Sequence, residues 1–287
     1  KPGIEKVRFG DPGWRLGYTR DAINSYFVFK TLKKEGLIPS HVRFQVCVPL
    51  TYSCLAAFIP DPGDLEKVVP GFTAAIIAEI TEMLKYIPSS ELAIQWDMAI
   101  ENRLIEVPLN VGNLDGAKAA AERAAKPAQD ICLSIPKEVA IGYHSCYGTL
   151  DGWPSRTPPD ATGTVLLLNA VIEASGRSVE FVHFPTLATS DEVFFRPFED
   201  LNLRGARAYV GAIHHLHGPD GLKAQIESIK KFLPEFGLAA PCGFGRAPER
   251  PGQLLSENIG NTTEDYIREI ISEHAKAVEI LGDVMSN

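Results

Sequence analysis

Six short apolar runs, each followed by helical or loop sequence, constrain this chain more than any other feature. They are His41–Val48, Glu91–Trp96, Glu138–Tyr143, Val179–Phe184, Ala206–Ile213 and Gly237–Cys242. Nearly continuous apolar runs of this length are expected of strands buried on both faces of a parallel sheet. Helical apolar spacing fills the intervals: Arg20–Glu35, with Thr19 as N-cap and Gly36 as stop, then Gly71–Tyr86, Asp115–Lys126, Thr162–Ala174, Glu192–Leu201, Asp220–Phe232 and Thr263–Leu281. Such alternation implies right-handed βαβ units. A doubly wound sheet and a (β/α)8 barrel both satisfy it. A doubly wound nucleotide-binding sheet needs a glycine-rich turn after its first strand, and neither G-x-G-x-x-G nor a P-loop is present. Gly243-Phe244-Gly245 runs into Arg246-Ala247-Pro248, which does not open a helix.

Composition narrows the partners. The formal net charge is −8, with no Lys/Arg run, which argues against nucleic acid. No apolar stretch reaches about 18 residues, so no membrane span is expected. No secretory signal pattern opens the chain, which begins at Lys1 without a Met. The five cysteines, Cys47, Cys54, Cys132, Cys146 and Cys242, are odd in number and irregular in spacing. That points away from a disulfide framework and towards a reducing, cytoplasmic setting. The length suits one barrel domain over 1–287.

In parallel α/β proteins chemistry sits beyond the C-terminal ends of the strands. Here those ends carry Asp97, the stretch His144-Ser145-Cys146-Tyr147, His183, His214-His215 with His217 close behind, and Cys242-Gly243. Zinc accounts for this mixture, because thiolate and imidazole are its preferred ligands and four of them make a tetrahedron. His144 and Cys146 are two apart and point the same way in an extended chain. Cys242 and His183 are placed to complete the set, against the plainer reading of buried thiols and hydrogen-bonded histidines. Asp97 is read either as a cap or ion-pair partner or as a site acid, and His214 either as a satisfied histidine or as a catalytic group. The connection Gly148–Ala161 is long enough to act as a lid, with Trp153 as a substrate wall or as a packing aromatic.

These strand ends, in this order, resemble the catalytic barrel of cobalamin-independent methionine synthase, in the superfamily that also holds uroporphyrinogen decarboxylase. The stretch His144-Ser145-Cys146-Tyr147 looks like its zinc-binding H-x-C-Y, Pro241-Cys242-Gly243 like its D-C-G, and Ile94-Gln95-Trp96-Asp97-Met98-Ala99 like its Q-x-D-E-P-A. Ile213-His214 looks like its I-H-S, and Cys47-Val48-Pro49-Leu50-Thr51 like its G-P-V-T. Two departures stand out. The family's remaining zinc ligand is a Glu, where this chain has His183, with Glu180 three residues earlier and on the opposite face of an alternating strand; His183 is favoured. The acid that follows the motif's Asp is replaced by Met98.

The resemblance implies a methionine synthase-type (β/α)8 barrel whose first two strands precede Lys1, the six runs matching the family's third to eighth strands. It implies zinc on His144, Cys146, His183 and Cys242, Asp97 holding a cationic substrate group, His214 as catalytic acid, and Trp96, Tyr147 and Trp153 around a small-molecule substrate. The expected activity is transfer of a methyl or alkyl group to a thiol, the donor being unspecified. A zinc hydrolase or lyase on the same barrel is the alternative, and a binding protein with a vestigial site ranks last. Oligomeric state is not legible.

Overall fold

The computed structural model describes residues 16–148, 153–214, 218–242 and 264–286. His215, His217, Gly243 and the Gly243-Phe244-Gly245 stretch lie outside them. Six strands form one sheet: β1 Phe44–Pro49, β2 Leu92–Met98, β3 Ala140–Ser145, β4 Phe181–Pro185, β5 Arg207–Gly211 and β6 Gly237–Ala239. Their order is β1-β2-β3-β4-β5-β6, and every neighbouring pair is parallel. The order never reverses, so the switch point of a doubly wound sheet is absent from these strands.

The helices are α1 Tyr18–Lys34, α2 Thr51–Leu55, α3 Pro62–Met83, α4 Ile100–Leu109, α5 Leu114–Leu133, α6 Thr162–Ala174, α7 Glu192–Phe195, α8 Gly218–Lys230 and α9 Glu264–Ser286. α5 packs between α4 and α6. It does so on a stripe of Ala117, Ala120, Ala121, Ala124, Ala125 and Ala128, all buried. This i, i+3, i+4 spacing of small side chains gives one continuous apolar face. None of these helices is long and apolar enough to cross a membrane.

Local chemistry sets several ends. Asp61 caps α3 by accepting from Asp64 N at 2.9 Å, with Pro62 opening the helix. Asn113 caps α5 by accepting from Gly116 N at 2.8 Å. Thr19, expected as the N-cap of the first helix, lies inside it, and Gly17 takes that position. Glu79 of α3 does the capping instead. Its carboxylate accepts from Leu16 N at 3.0 Å and Thr19 N at 2.8 Å, while its carbonyl accepts from the Thr19 hydroxyl at 2.7 Å. A negative charge at a helix N-terminus is favourable, and these bonds hold the Glu79 carboxyl below its ordinary range although burial opposes it.

Strand register sorts the side chains into two faces. Val48, Trp96, Tyr143, Val182 and Ala208 align across five strands, and all are buried. The next row is Pro49, Asp97, His144, His183, Tyr209 and Gly237. Period-two alternation sends this row to the opposite face. Tyr143 marks the first face as the helix side, because its hydroxyl lies 2.7 Å from Ser175 Oγ, just past α6, and 3.3 Å from Cys132 Sγ of α5. The polar row therefore looks away from the helices, and this inner face carries the site.

Candidate metal centre

Asp97, His144 and His183 occupy consecutive places on one inner row, and Cys146 lies two residues past His144 on the same face. Cys146 N donates to Met98 O at 3.2 Å, which prolongs the β2–β3 ladder by one bond. Cys242 arrives from the other end of the sheet. β6 is prolonged by Ile213 N donating to Ala239 O at 3.1 Å. At Gly211 a side chain would place its Cβ 2.7 Å from Pro241 Cα and 3.0 Å from Ala240 O. Glycine is what lets the segment carrying Cys242 approach so closely.

His144, Cys146 and Cys242 come together so that their ligating atoms all lie within 4.8 Å of one another. The two sulfurs are 3.7 Å apart. That is far beyond a disulfide bond, and all five cysteines are free. Two thiolates on one tetrahedral zinc, each about 2.3 Å from it, sit about 3.8 Å apart. His144 Nδ1 is buried with no hydrogen-bond partner. Buried polar atoms are almost always paired, so an orphaned imidazole nitrogen beside two thiols suits a metal ligand. These three side chains can bind a metal ion such as zinc. No family model, curated protein or solved structure gives a significant match to the chain.

The Cys146 thiol is pushed far above its ordinary range, first by its hydrogen bond with Cys242 and then by burial. The pair thus holds its protons until a cation displaces them. Gly148 N donates to Cys146 Sγ at 3.3 Å, an interaction that favours the thiolate.

His183 is close to this group but outside it. Its ring stacks on His144, with centroids 4.4 Å apart and planes 20° from parallel. Its Nε2 lies 2.9 Å from Ala240 O. A carbonyl only accepts, so Nε2 carries the proton and donates, two residues ahead of Cys242. Burial, followed by the charge of His144, lowers the His183 pKa to about 3, which keeps the ring neutral. The structure therefore gives His183 the position of a brace between β4 and the Cys242 segment. Glu180 points elsewhere, its carboxylate accepting from Ile141 N at 2.6 Å.

Asp97 accepts from Gln95 Nε2 at 2.9 Å. Burial pushes its carboxyl above the ordinary range, while His144 and Gln95 pull it down. Gln95 Nε2 also lies 3.4 Å from Cys47 Sγ, and Gln45 Nε2 donates to Gln95 Oε1 at 3.2 Å. A polar strip thus runs along the inner face from β1 to the metal group. Sequence reasoning left Gln45 and Cys47 out of the site. Their even spacing from Pro49 along β1 was the available signal. Tyr18 was missed as well; its hydroxyl pKa is raised to about 12, mainly by burial and in part by the charges of Cys54 and Asp97.

Trp96, Tyr147 and Trp153, expected around the substrate, do not gather here. Trp96 is fully buried on the helix face, one residue from Asp97 and so opposite to it. Tyr147 is fully buried and its hydroxyl lies 3.2 Å from Thr164 Oγ1 of α6. Trp153 stacks on Tyr147 at 6.0 Å and 7°, packing its loop against the core. His214 lies beyond β5 with Nε2 3.2 Å from Thr186 Oγ1, which also contacts Gln225 of α8. Alternation accounts for Trp96 and Tyr147, each adjacent in sequence to an inner-face residue and so projecting to the opposite face.

Proposed function

We propose that this chain is a zinc-dependent transferase that moves a methyl or alkyl group onto a thiol substrate, on a barrel of the methionine synthase type. The observation that carries the reading is the 3.7 Å approach of Cys146 and Cys242 beside the orphaned His144 Nδ1. Two thiolates offset the charge of a divalent cation, and three protein ligands are the number found in catalytic zinc sites, which keep one position open. Bound zinc would supply a Lewis acid that lowers the pKa of the substrate thiol and fixes it as thiolate.

The chain's own residues do the rest. Asp97, half-buried and accepting from Gln95 Nε2, is suited to receive a cationic group of the substrate. His183 holds Ala240, and with it the Cys242 segment, through Nε2. His214 serves as the acid for the leaving group in this reading, from its place after β5. A barrel is supported by the sequential parallel order and by the meeting of Cys146 with Cys242. β3 and β6 are three strand spacings apart, about 14 Å in a flat sheet, so the sheet curls or its ends fold inward. Thiols kept free for metal suit a reducing compartment such as the cytoplasm.

A hydrolase or lyase is the second reading. The observation favouring it is that His183 stands outside the ligand group, which leaves the open position equally available to water.

Metal analysis of the purified chain tests the proposal. We expect about one zinc per chain, lost on Cys146→Ser or Cys242→Ser. Zinc at trace levels, unchanged by either substitution, overturns it. X-ray absorption with a small thiol added separates the two readings: a new Zn–S contact supports transfer, and a retained Zn–O contact supports hydrolysis.

A further inference from the structure

Arg156 stands apart from every residue that the motifs singled out. Its guanidinium is largely buried and reaches three acceptors on different elements. Nη1 pairs with the Glu106 carboxylate of α4. Nη2 donates to Ala99 O at 3.0 Å and to Cys146 O at 2.9 Å. Ala99 follows the end of β2, two residues past Asp97, and Cys146 follows the end of β3. One side chain thus ties the strand end bearing the site carboxylate to the strand end bearing a metal ligand.

The same ligand is held from the other directions. Cys146 N is bonded to Met98 O, and Gly148 N reaches Cys146 Sγ. Gly148 O accepts from Ser155 N at 3.0 Å, one residue before Arg156, and Gly148 has a positive φ of 86° that suits glycine. The backbone that follows Cys146, at its own carbonyl and at Gly148 O, is therefore held by the segment that delivers Arg156, while β2 holds its N–H.

We propose that Arg156, backed by Glu106, is a positioning residue that sets the geometry of the Cys146 ligand. This rests on the metal reading above. A lysine keeps the charge but offers a single ammonium centre, whereas the planar guanidinium meets several acceptors in fixed directions. Groups that orient metal ligands typically alter metal affinity about 10- to 100-fold when removed.

The test uses the full chain, with zinc affinity from chelator competition and the thiolate-to-metal absorption of the cobalt(II)-loaded protein. Arg156→Lys is expected to weaken zinc binding about 10- to 100-fold and to shift the cobalt absorption, in protein that remains folded. Glu106→Gln, which leaves Arg156 without its counter-charge, is expected to act in the same direction by a smaller factor. A merely structural ion pair would lower the melting temperature of the metal-free chain and leave zinc affinity untouched. Affinity within twofold of wild type in folded Arg156→Lys overturns the proposal. Should that variant fail to fold, unchanged affinity in Glu106→Gln overturns it equally. A wild-type chain that takes up no zinc overturns instead the metal reading itself, before any variant is compared.

Discussion

Two adjacent rows of the same sheet differ in almost every physical respect. Val48, Trp96, Tyr143, Val182 and Ala208 face the helices, fully buried and, except at Tyr143 and Trp96, without a polar side-chain atom. Pro49, Asp97, His144, His183 and Tyr209 face the other way, one residue along each strand. The first row gains stability by removing apolar surface from water. The second row sets titratable groups side by side at some cost in desolvation, shown by the opposite shifts of Asp97 upwards and His183 downwards, burial being the first cause of each. Stability and chemistry are thus divided by strand parity and not by region of the chain.

The largest expected effect breaks that comparison if it fails. Ile141, fully buried on the helix side of β3, should cost about 2–5 kcal/mol on truncation to alanine, measured by denaturant unfolding of the metal-free chain. His144→Ala, on the inner side of the same strand, should cost less, because it deletes a nitrogen that has no partner. Its effect should fall on metal uptake, which Ile141→Ala leaves intact in protein that remains folded. Equal stability losses in the two variants would show that the two faces are not divided in this way.

The sheet was legible because its strands are short, nearly continuous apolar runs set between helical stretches. α6 lies at the expected Thr162–Ala174 for a similar reason, an uninterrupted apolar helix between a proline-rich loop and a Ser-Gly stop. α2 and α4 were missed. In α4 the buried positions include Glu101, Asn102 and Glu106, so its inward stripe does not read as apolar. α3 starts nine residues earlier than its apolar spacing suggests, since 71 − 62 = 9, because Asp61 and Pro62 initiate it and Pro70 is absorbed within it. At the site, Asp97, His144 and Cys146 were legible from strand-end position. The brace made by His183 depends on which loop crosses its ring, and the clamp made by Arg156 depends on a chain reversal after Cys146. Neither leaves a periodic signal.

Glu101 sharpens the comparison, since it is a titratable group on the helix side. Its carboxylate accepts from Ser53 N at 2.9 Å and from the Ser53 hydroxyl, and that hydroxyl accepts from Ala99 N at 2.8 Å. Burial dominates these bonds and raises its pKa from 4.5 to about 7. The folded chain keeps this proton over a range in which the unfolded chain has lost it. The stability it contributes is therefore complete below about pH 4.5 and is lost as the pH rises to about 7. The change amounts to about 3 kcal/mol, at about 1.4 kcal/mol per unit. Unfolding free energies between pH 4 and pH 8 should fall more steeply for wild type than for Glu101→Gln. Parallel profiles would remove Glu101 as the titrating group.

The smallest of these effects tests whether the inner face is uniform. One inner row nearer the strand N-termini, Gly142 aligns with Phe181, and a Cβ on Gly142 would lie 2.2 Å from the Phe181 ring. That ring meets Tyr209 edge to face at 6.3 Å, and Tyr209 in turn occupies the space over Gly237. Here glycines on the inner face leave room for half-buried aromatic rings, whereas the His144 end of the adjoining row carries the metal group. Gly142→Ala should cost about 1–3 kcal/mol by overpacking. Phe181→Leu, which replaces the ring with a smaller side chain, should recover part of that loss in the double variant, giving a coupling between the two positions. Zinc affinity should stay near that of wild type, because the displaced atom is a ring carbon of Phe181 and none of the three ligands contacts it through a hydrogen bond. Additive costs in the double variant would mean that the Phe181 ring is not what excludes a side chain at Gly142.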